Sequence, residues 1–300
     1  MYIHTLNEHL RSRFGRKVYK LSLSSGCTCP NRDGTLGNRG CIFCDGAGSF
    51  AEQGNVTEQL VAAKARVAAK VGADAGYIAY FQSFTNTYGS VEKLRPLFLE
   101  AIAPEDVVAL SIATRPDCLP DEIMDLLAEL CRIKPVWVEL GLQTIRADSA
   151  EWMRRGYALS VFEDAVRRLK AIGAEVIVHQ ILGLPGETVE DMAATAEYIG
   201  RSGADGIKFH LLHVLRGTDL EREWLEGCVQ PMELEEYIAA LETCIRRIPR
   251  DMVIHRLTGD GAKRDLLAPL WSGNKKRVLN EIRAAFARDD LEQGSDWKTE

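Results

Sequence analysis

Four of the chain's eight cysteines fall inside the stretch CTCPNRDGTLGNRGCIFC, residues 27–44. The pair Cys41-x-x-Cys44 places two thiolates close enough to share one metal centre, and Cys27 or Cys29 lies far enough back to close the loop. Gly34, Gly37 and Gly40 let the backbone wrap tightly, so that its N–H groups can reach buried sulfurs. Three chemistries fit. Four thiolates would make a closed tetrahedral zinc site. Three would hold a [4Fe–4S] cluster with one iron left open. Unligated thiols in a glycine-rich loop are the third. Spacing by itself leans towards zinc, and position leans the other way. The loop follows the first strand of a βα series, where loops at strand C-termini carry the chemistry. Phe43, inside the Cys pair, is an aromatic placed to pack on a cofactor ring.

The elements that must carry this loop are legible as alternating periods. Strand-length apolar runs stand at 18–25, 77–81, 107–112, 136–142, 175–183 and 206–214. A helical period follows each later strand. Asn55 and Glu58 form the signature of a capping box, Pro120 opens PDEIMDLLAELCRI, and Thr188 starts TVEDMAATAEYIG. Six successive βα units predict a parallel sheet with right-handed crossovers. A curled partial (βα)6 barrel and a flat doubly wound sheet both satisfy that pattern. The expected organisation is a core over residues 1–231 and, from 232 to 300, a helix, a short strand and a closing helix packed on it as an extension.

Composition bounds the rest. At 300 residues, 46% hydrophobic and 27% charged, the chain can bury a substantial core. No apolar run reaches membrane-span length, and the polar, basic N-terminus is no secretory signal. A cytoplasmic protein with reduced thiols and no membrane partner is expected. The net charge of −6 gives no general polyanion signal. The basic stretch LRSRFGRKVYK is read as a solvated face, and no basic stripe interleaved with aromatics is evident.

Several ordered motifs then carry a resemblance: CPNRDGT…GCIFC, YFQSFTNTY, LSIATRPDCLPDE, VELGLQT, HQILGLPGET, GIKFHLLHVLRGTDL and RLTGD. The chain resembles radical S-adenosylmethionine (SAM) enzymes, and more narrowly the bacterial YhcC/YtqA-type family. That family is related to the radical SAM half of the elongator catalytic subunit and to oxygen-independent coproporphyrinogen oxidase. The resemblance implies an α/β fold, a partial (βα)6 TIM-like barrel. It implies that Cys29, Cys41 and Cys44 hold a [4Fe–4S] cluster whose fourth iron binds SAM, with Cys27 a bystander. Reduction of the cluster would cleave SAM to methionine and a 5′-deoxyadenosyl radical that abstracts hydrogen from substrate.

Residue by residue, the resemblance places Gln82 and Ser83 at the turn that binds the SAM amino group. It places Gln143 and Arg155 at SAM contacts, Arg155 on the carboxylate, and His179 at the ribose. Ala113 stands where the coproporphyrinogen-oxidase branch has a glutamate. Polar residues at strand ends are substrate-side candidates: Glu139, Lys208 and His210 foremost, with Asn86, Tyr88, Arg115, Asp117, His213 and Asp260. Glu139 points opposite to Val138 and Leu140, into a barrel interior, and needs a partner there such as Arg115 or Lys208. Lys208 and His210 share a face. The implied partners are an electron donor such as flavodoxin or ferredoxin and, by kinship with the elongator subunit, a tRNA substrate.

Overall fold

The computed structural model describes residues 1–44, 54–72, 74–259 and 263–298. Its central element is a parallel sheet of seven strands in the order β1-β2-β3-β4-β5-β6-β8. These are β1 (Val18–Leu23), β2 (Gly76–Phe81), β3 (Val107–Thr114), β4 (Val136–Gln143), β5 (Glu175–Leu182), β6 (Gly206–Leu211) and β8 (Val253–Arg256). A short antiparallel ribbon joins β7 (Val214–Leu215) to β9 (Leu266–Ala268). The helices are α1 (Leu6–Phe14), α2 (Val56–Val67), α3 (Val91–Ile102), α4 (Asp121–Cys131), α5 (Ala147–Trp152), α6 (Leu159–Ala171), α7 (Val189–Arg201), α8 (Asp219–Leu225), α9 (Leu234–Arg246) and α10 (Lys275–Arg288).

Strand order decides between the two sheets that periodicity allowed. A doubly wound sheet reverses its order at a switch point, which sends helices to both faces. Here each strand of the sheet lies beside its predecessor, so right-handed crossovers put the connecting helices on one face and the sheet curls around the other. The result is a half-barrel with a lumen. The seventh strand differs from the expected six: the MVIHRL segment, read as part of an extension, pairs with β6 through Gly206–Val253 and Ile207–Ile254. The segment 206–214 also breaks. It leaves the sheet after Leu211, and Leu212 and Val214 bury in a second apolar cluster with Ile42, Met153 and Leu220.

The alternation of each strand explains both faces. Leu21, Phe81, Leu110, Val138, Val178 and Phe209 point outward into the main core beneath the helices. Pointing inward at the strand N-termini, Ile78, Ala109, Trp137 and Ile177 form an apolar floor, sealed by Leu10 of α1. Helix α1 was not foreseen. Thr5 and Glu8 cap it and Leu10 is buried, while Arg11, Arg13 and Lys17 of the basic stretch are exposed, as expected of a solvated face. Capping boxes at Asn55/Glu58 and at Thr188/Asp191 start α2 and α7 as expected, whereas Pro120 sits one residue ahead of α4, at its N-cap.

The floor predicts a stability effect. Trp137 is fully buried between Lys20 and the edge of His255. Trp137→Ala is expected to cost about 3–5 kcal/mol in urea unfolding, with Trp137→Phe well below that.

Candidate active site

The cysteine loop begins directly after β1 and is pinned at both ends. Near its start, Thr85 N–H donates to the Thr28 carbonyl (3.3 Å) and Ser25 Oγ donates to Asn86 Oδ1 (2.7 Å). Asn86, itself fully buried, donates to the carbonyls of Phe81 and Ala113. It is a pin between strand ends and does not face a substrate. At the far end, Ile42 N–H donates to Met153 O (3.4 Å) and Leu220 N–H donates to Ile42 O (3.0 Å).

Cys27 parts company with the other three sulfurs. It is 8% exposed, belongs to the main core, and lies against Gly89 and Leu94. Cys29, Cys41 and Cys44 are each half-buried. Cys41 accepts a hydrogen bond from Asn31 Nδ2 at 3.6 Å. Burial, with the Cys44 and Cys29 sulfurs nearby, pushes its thiol up to about 11. A bound cationic centre reverses such a shift, because it stabilises the thiolate. Among the described residues no three His, Cys, Asp or Glu side chains converge to hold a single ion. A cubane is held on separate irons, one thiolate each. The donor set, its N–H donor and the separate Cys27 therefore fit a three-thiolate cluster better than a four-thiolate zinc site.

Glycines make the cradle tight. Gly156, at φ +81°, passes so close that a Cβ would lie 3.3 Å from Asn31 Oδ1 and 3.4 Å from Arg115 Nη2. Asn31 also donates to the Arg154 carbonyl (2.7 Å), and Arg154 reaches back to Gly40 O (3.2 Å). Arg154 was not singled out in the sequence. The structure has Arg154 holding the loop. The buried Arg155 donates to the carbonyls of Leu142 (3.2 Å), Thr144 (2.7 Å) and Tyr157 (3.3 Å), and stacks on Tyr157.

Of the other expected SAM contacts, Gln82 sits past β2 with Oε1 accepting from Ser22 Oγ at 3.4 Å, and Ser83 is buried beside it. Gln143 has a left-handed φ of 71° that folds its side chain over Gly141. Phe43 packs on the rim cluster of Ile42 and its neighbours. Arg115 pairs with Asp117 (2.7 Å), His213 meets Ser272 Oγ (3.0 Å), and Tyr88 bonds Thr35 (2.9 Å). Asp260 lies outside the described residues.

The lumen holds the second half of the site. Glu139 is 1% exposed. Its Oε1 accepts from Lys20 Nζ (2.6 Å) and Ser111 Oγ (2.8 Å). Its Oε2 accepts from Tyr80 OH (2.9 Å), His179 Nε2 (2.8 Å) and Lys208 Nζ. The pairing with Lys208 was foreseen; Arg115 is not a partner. Lys20, Tyr80 and Ser111 were missed, although period 2 in VYKLSL already puts Lys20 on the inward face. Burial alone would push the Glu139 carboxyl up, but Lys20, Lys208 and His179 outweigh it and hold it well below the usual carboxylate range. Burial, outweighing Glu139, pushes the Lys208 ammonium down to about 7. His179, expected at a ribose, is tied to Glu139, and burial holds it at about 4. Its ring lies 4.9 Å from that of His210. Burial and His179 keep His210 well below the usual range, and its buried Nε2 has no hydrogen-bond partner among the described residues. The lumen thus offers an ammonium whose proton burial loosens and an imidazole nitrogen unpaired among the described residues.

Fold and loop together define a class. The chain belongs to the radical SAM superfamily: the Radical SAM superfamily profile matches residues 34–199 and the Radical SAM C-terminal domain matches 204–288. Among its relatives, YtqA of Bacillus subtilis is 42% identical over 295 residues, covering 97% of this chain and 91% of that one. The tRNA uridine(34) acetyltransferase of Methanocaldococcus jannaschii is 31% identical over 180 residues, 58% of this chain and 32% of the relative. The archaeal Elp3 of Methanocaldococcus infernus superimposes with a TM-score of 0.70 at 18% identity, over 93% of this chain and 64% of that one, and shares the fold.

Two outcomes are expected of the lumen. Glu139→Ala strands two buried cations and should cost about 3–5 kcal/mol in urea unfolding. Between pH 7 and 10.5 the unfolded chain binds a proton that folded Lys208 has released, so this group makes stability rise with pH across that window. Lys208→Met should flatten the rise when unfolding is measured at the two ends of the window.

Proposed function

We propose that the protein is a cytoplasmic radical SAM enzyme in which Cys29, Cys41 and Cys44 hold a [4Fe–4S] cluster, and that its substrate is a nucleoside of tRNA. The observation that carries the cluster assignment is the division of the four sulfurs: Cys27 buried in the core, the other three grouped at the mouth of the lumen. When bound, the cluster supplies the electron that splits SAM into methionine and the radical that takes hydrogen from substrate. An external flavodoxin or ferredoxin supplies that electron.

The chain's own residues position and protonate. Asn31, Arg154 and Gly156 fix the loop relative to the strand ends. The loop between β2 and α3, with Gln82 and Ser83, and the turn at Gln143 line the same rim, where SAM would lie across the strand C-termini. Below them Glu139 keeps Lys208 and His179 oriented, and His210 Nε2 faces the lumen for a substrate polar group. The tRNA reading draws its support from the uridine(34) acetyltransferase relative.

Anaerobic reconstitution with iron and sulfide tests the cluster. Cys41→Ala and Cys44→Ala are expected to lose iron and to form less than about a hundredth of the wild-type 5′-deoxyadenosine from SAM and dithionite. Cys27→Ala should keep both. Stoichiometric zinc without colour in the wild-type protein would refute the assignment. Comparison of tRNA nucleosides between wild-type and deletion strains tests the substrate: an unchanged nucleoside profile removes tRNA from consideration.

A further inference from the structure

The chain is acidic overall, yet one short segment of it is strongly basic. Residues 263–277, KRDLLAPLWSGNKKR, carry five cations against the single anion Asp265 in a chain whose net charge is −6. They run from the ribbon strand β9 through a short 3-10 turn (Leu270–Gly273) into α10. Lys263, Arg264, Lys275, Lys276 and Arg277 are all exposed. Between the two basic groups Leu270 stands 74% exposed, beside the half-buried ring of Trp271. The ribbon pairing adds Arg216, whose N–H donates to the Asp265 carbonyl at 2.7 Å.

Two features set this ridge apart from an ordinary solvated face. Lys275, Lys276 and Arg277 occupy the first turn of α10, which has no acidic residue. Cations there oppose the helix dipole, so the helix is less stable with them than without. The ridge is also continuous with the cysteine loop. From Arg216 the chain reaches Asp219, around which Arg39 (3.5 Å), Arg222 (4.0 Å) and Arg154 converge. Arg39 belongs to the loop, and Arg154 holds it. Positive charge therefore runs along one side of the barrel mouth, from α10 to the cluster loop. The ridge is not free of acids: Asp219 is shared by Arg154, Arg39 and Arg222, and Glu221 accepts from Gly217 N–H beside Arg216. Asp265 on Arg264 and Glu281 on Arg277 make exposed ion pairs that a phosphate can displace at little cost.

We propose that the ridge of Arg216, Lys263, Arg264, Lys275, Lys276 and Arg277 binds the phosphate backbone of the RNA whose nucleoside enters the barrel. The inference rests on the tRNA reading above and deepens it. A nucleoside presented at the mouth brings its flanking phosphates to the rim, and a line of exposed Lys and Arg beside an apolar step at Leu270 is what a single-stranded backbone needs there.

The test is salt-dependent binding of bulk tRNA to the full-length reconstituted protein, wild type against the triple variant Lys263→Ala, Lys275→Ala, Lys276→Ala. The variant is expected to bind about tenfold more weakly and to lose about 0.7–0.9 of the salt slope per phosphate contact removed. The arginine triple at the same positions should bind as wild type. Cofactor-only cleavage of SAM with dithionite should be equal in all three, which checks that the variants fold. Equal affinity and slope in wild type and alanine variant would overturn the ridge while leaving the tRNA reading standing. A wild-type protein that cleaves SAM but shows no salt-dependent tRNA binding would remove the tRNA reading and the ridge with it. A variant that binds tRNA normally yet is reduced more slowly by an acidic electron-transfer protein would assign the surface to the donor, and the proposal would be wrong.

Discussion

The buried carboxylate of Glu139 is the constraint on which the barrel depends. Each of the other strands from β1 to β6 sends it one side chain: Lys20, Tyr80, Ser111, His179 and Lys208. Such an arrangement is weak evidence for stability, because two ammonium groups and a carboxylate have all been taken out of water. Its consequence is geometric. A slip of one residue in any strand would turn that strand's donor outward among the leucines and leave the carboxylate short of a partner. The register of six strands is therefore tied to one point in the lumen.

That point also divides the lumen along its axis. Below it the floor of Trp137, Ile78, Ile177 and Leu10 excludes water, so the charges sit on a dry base where their interactions are strong. Above it His179 and His210 lead up to the strand C-termini and the cysteine loop. Burial, with Lys20 nearby, moves Lys208 down to about 7 against the opposing pull of Glu139. The same environment that builds the barrel thus tunes the groups that face its mouth.

The mouth is assembled from pieces distant in sequence. The cysteine loop is held by Asn86 and Thr85 on one side, by Met153 and Arg154 on the other, and by Leu220 behind. A separate apolar cluster, with Ile42, Met153, Leu212, Val214 and Leu220, fastens the loop to the ribbon and α8. The loop itself has too little apolar surface to hold a shape. Neighbours make that good, which is why three half-buried thiols can stand together at the rim while Cys27, two residues from Cys29, is drawn into the core.

Much was legible before any coordinates, because it depends on local periods and on residue types. Six strand runs and the helices between them follow from hydrophobic alternation, and capping residues mark the starts of α2 and α7. The thiols that matter stand out by density, and Glu139, Lys208 and His210 by being polar at inward positions. What the sequence left open was everything set by neighbours in space: the curl of the sheet, fixed by strand order; the role of β8 as a seventh strand; and the identity of Glu139's other partners, which come from strands up to 119 residues away. The part of Arg154 was also out of reach: it has a left-handed φ of 61° and its guanidinium meets the Gly40 carbonyl of the loop, a contact across 114 residues. Five of the ridge's six cations stand together in residues 263–277 and were there to be read. What only the fold decides is their company: the pairing of β7 with β9 brings Arg216 beside them at the mouth, because charge along a chain says nothing of which segments meet in space.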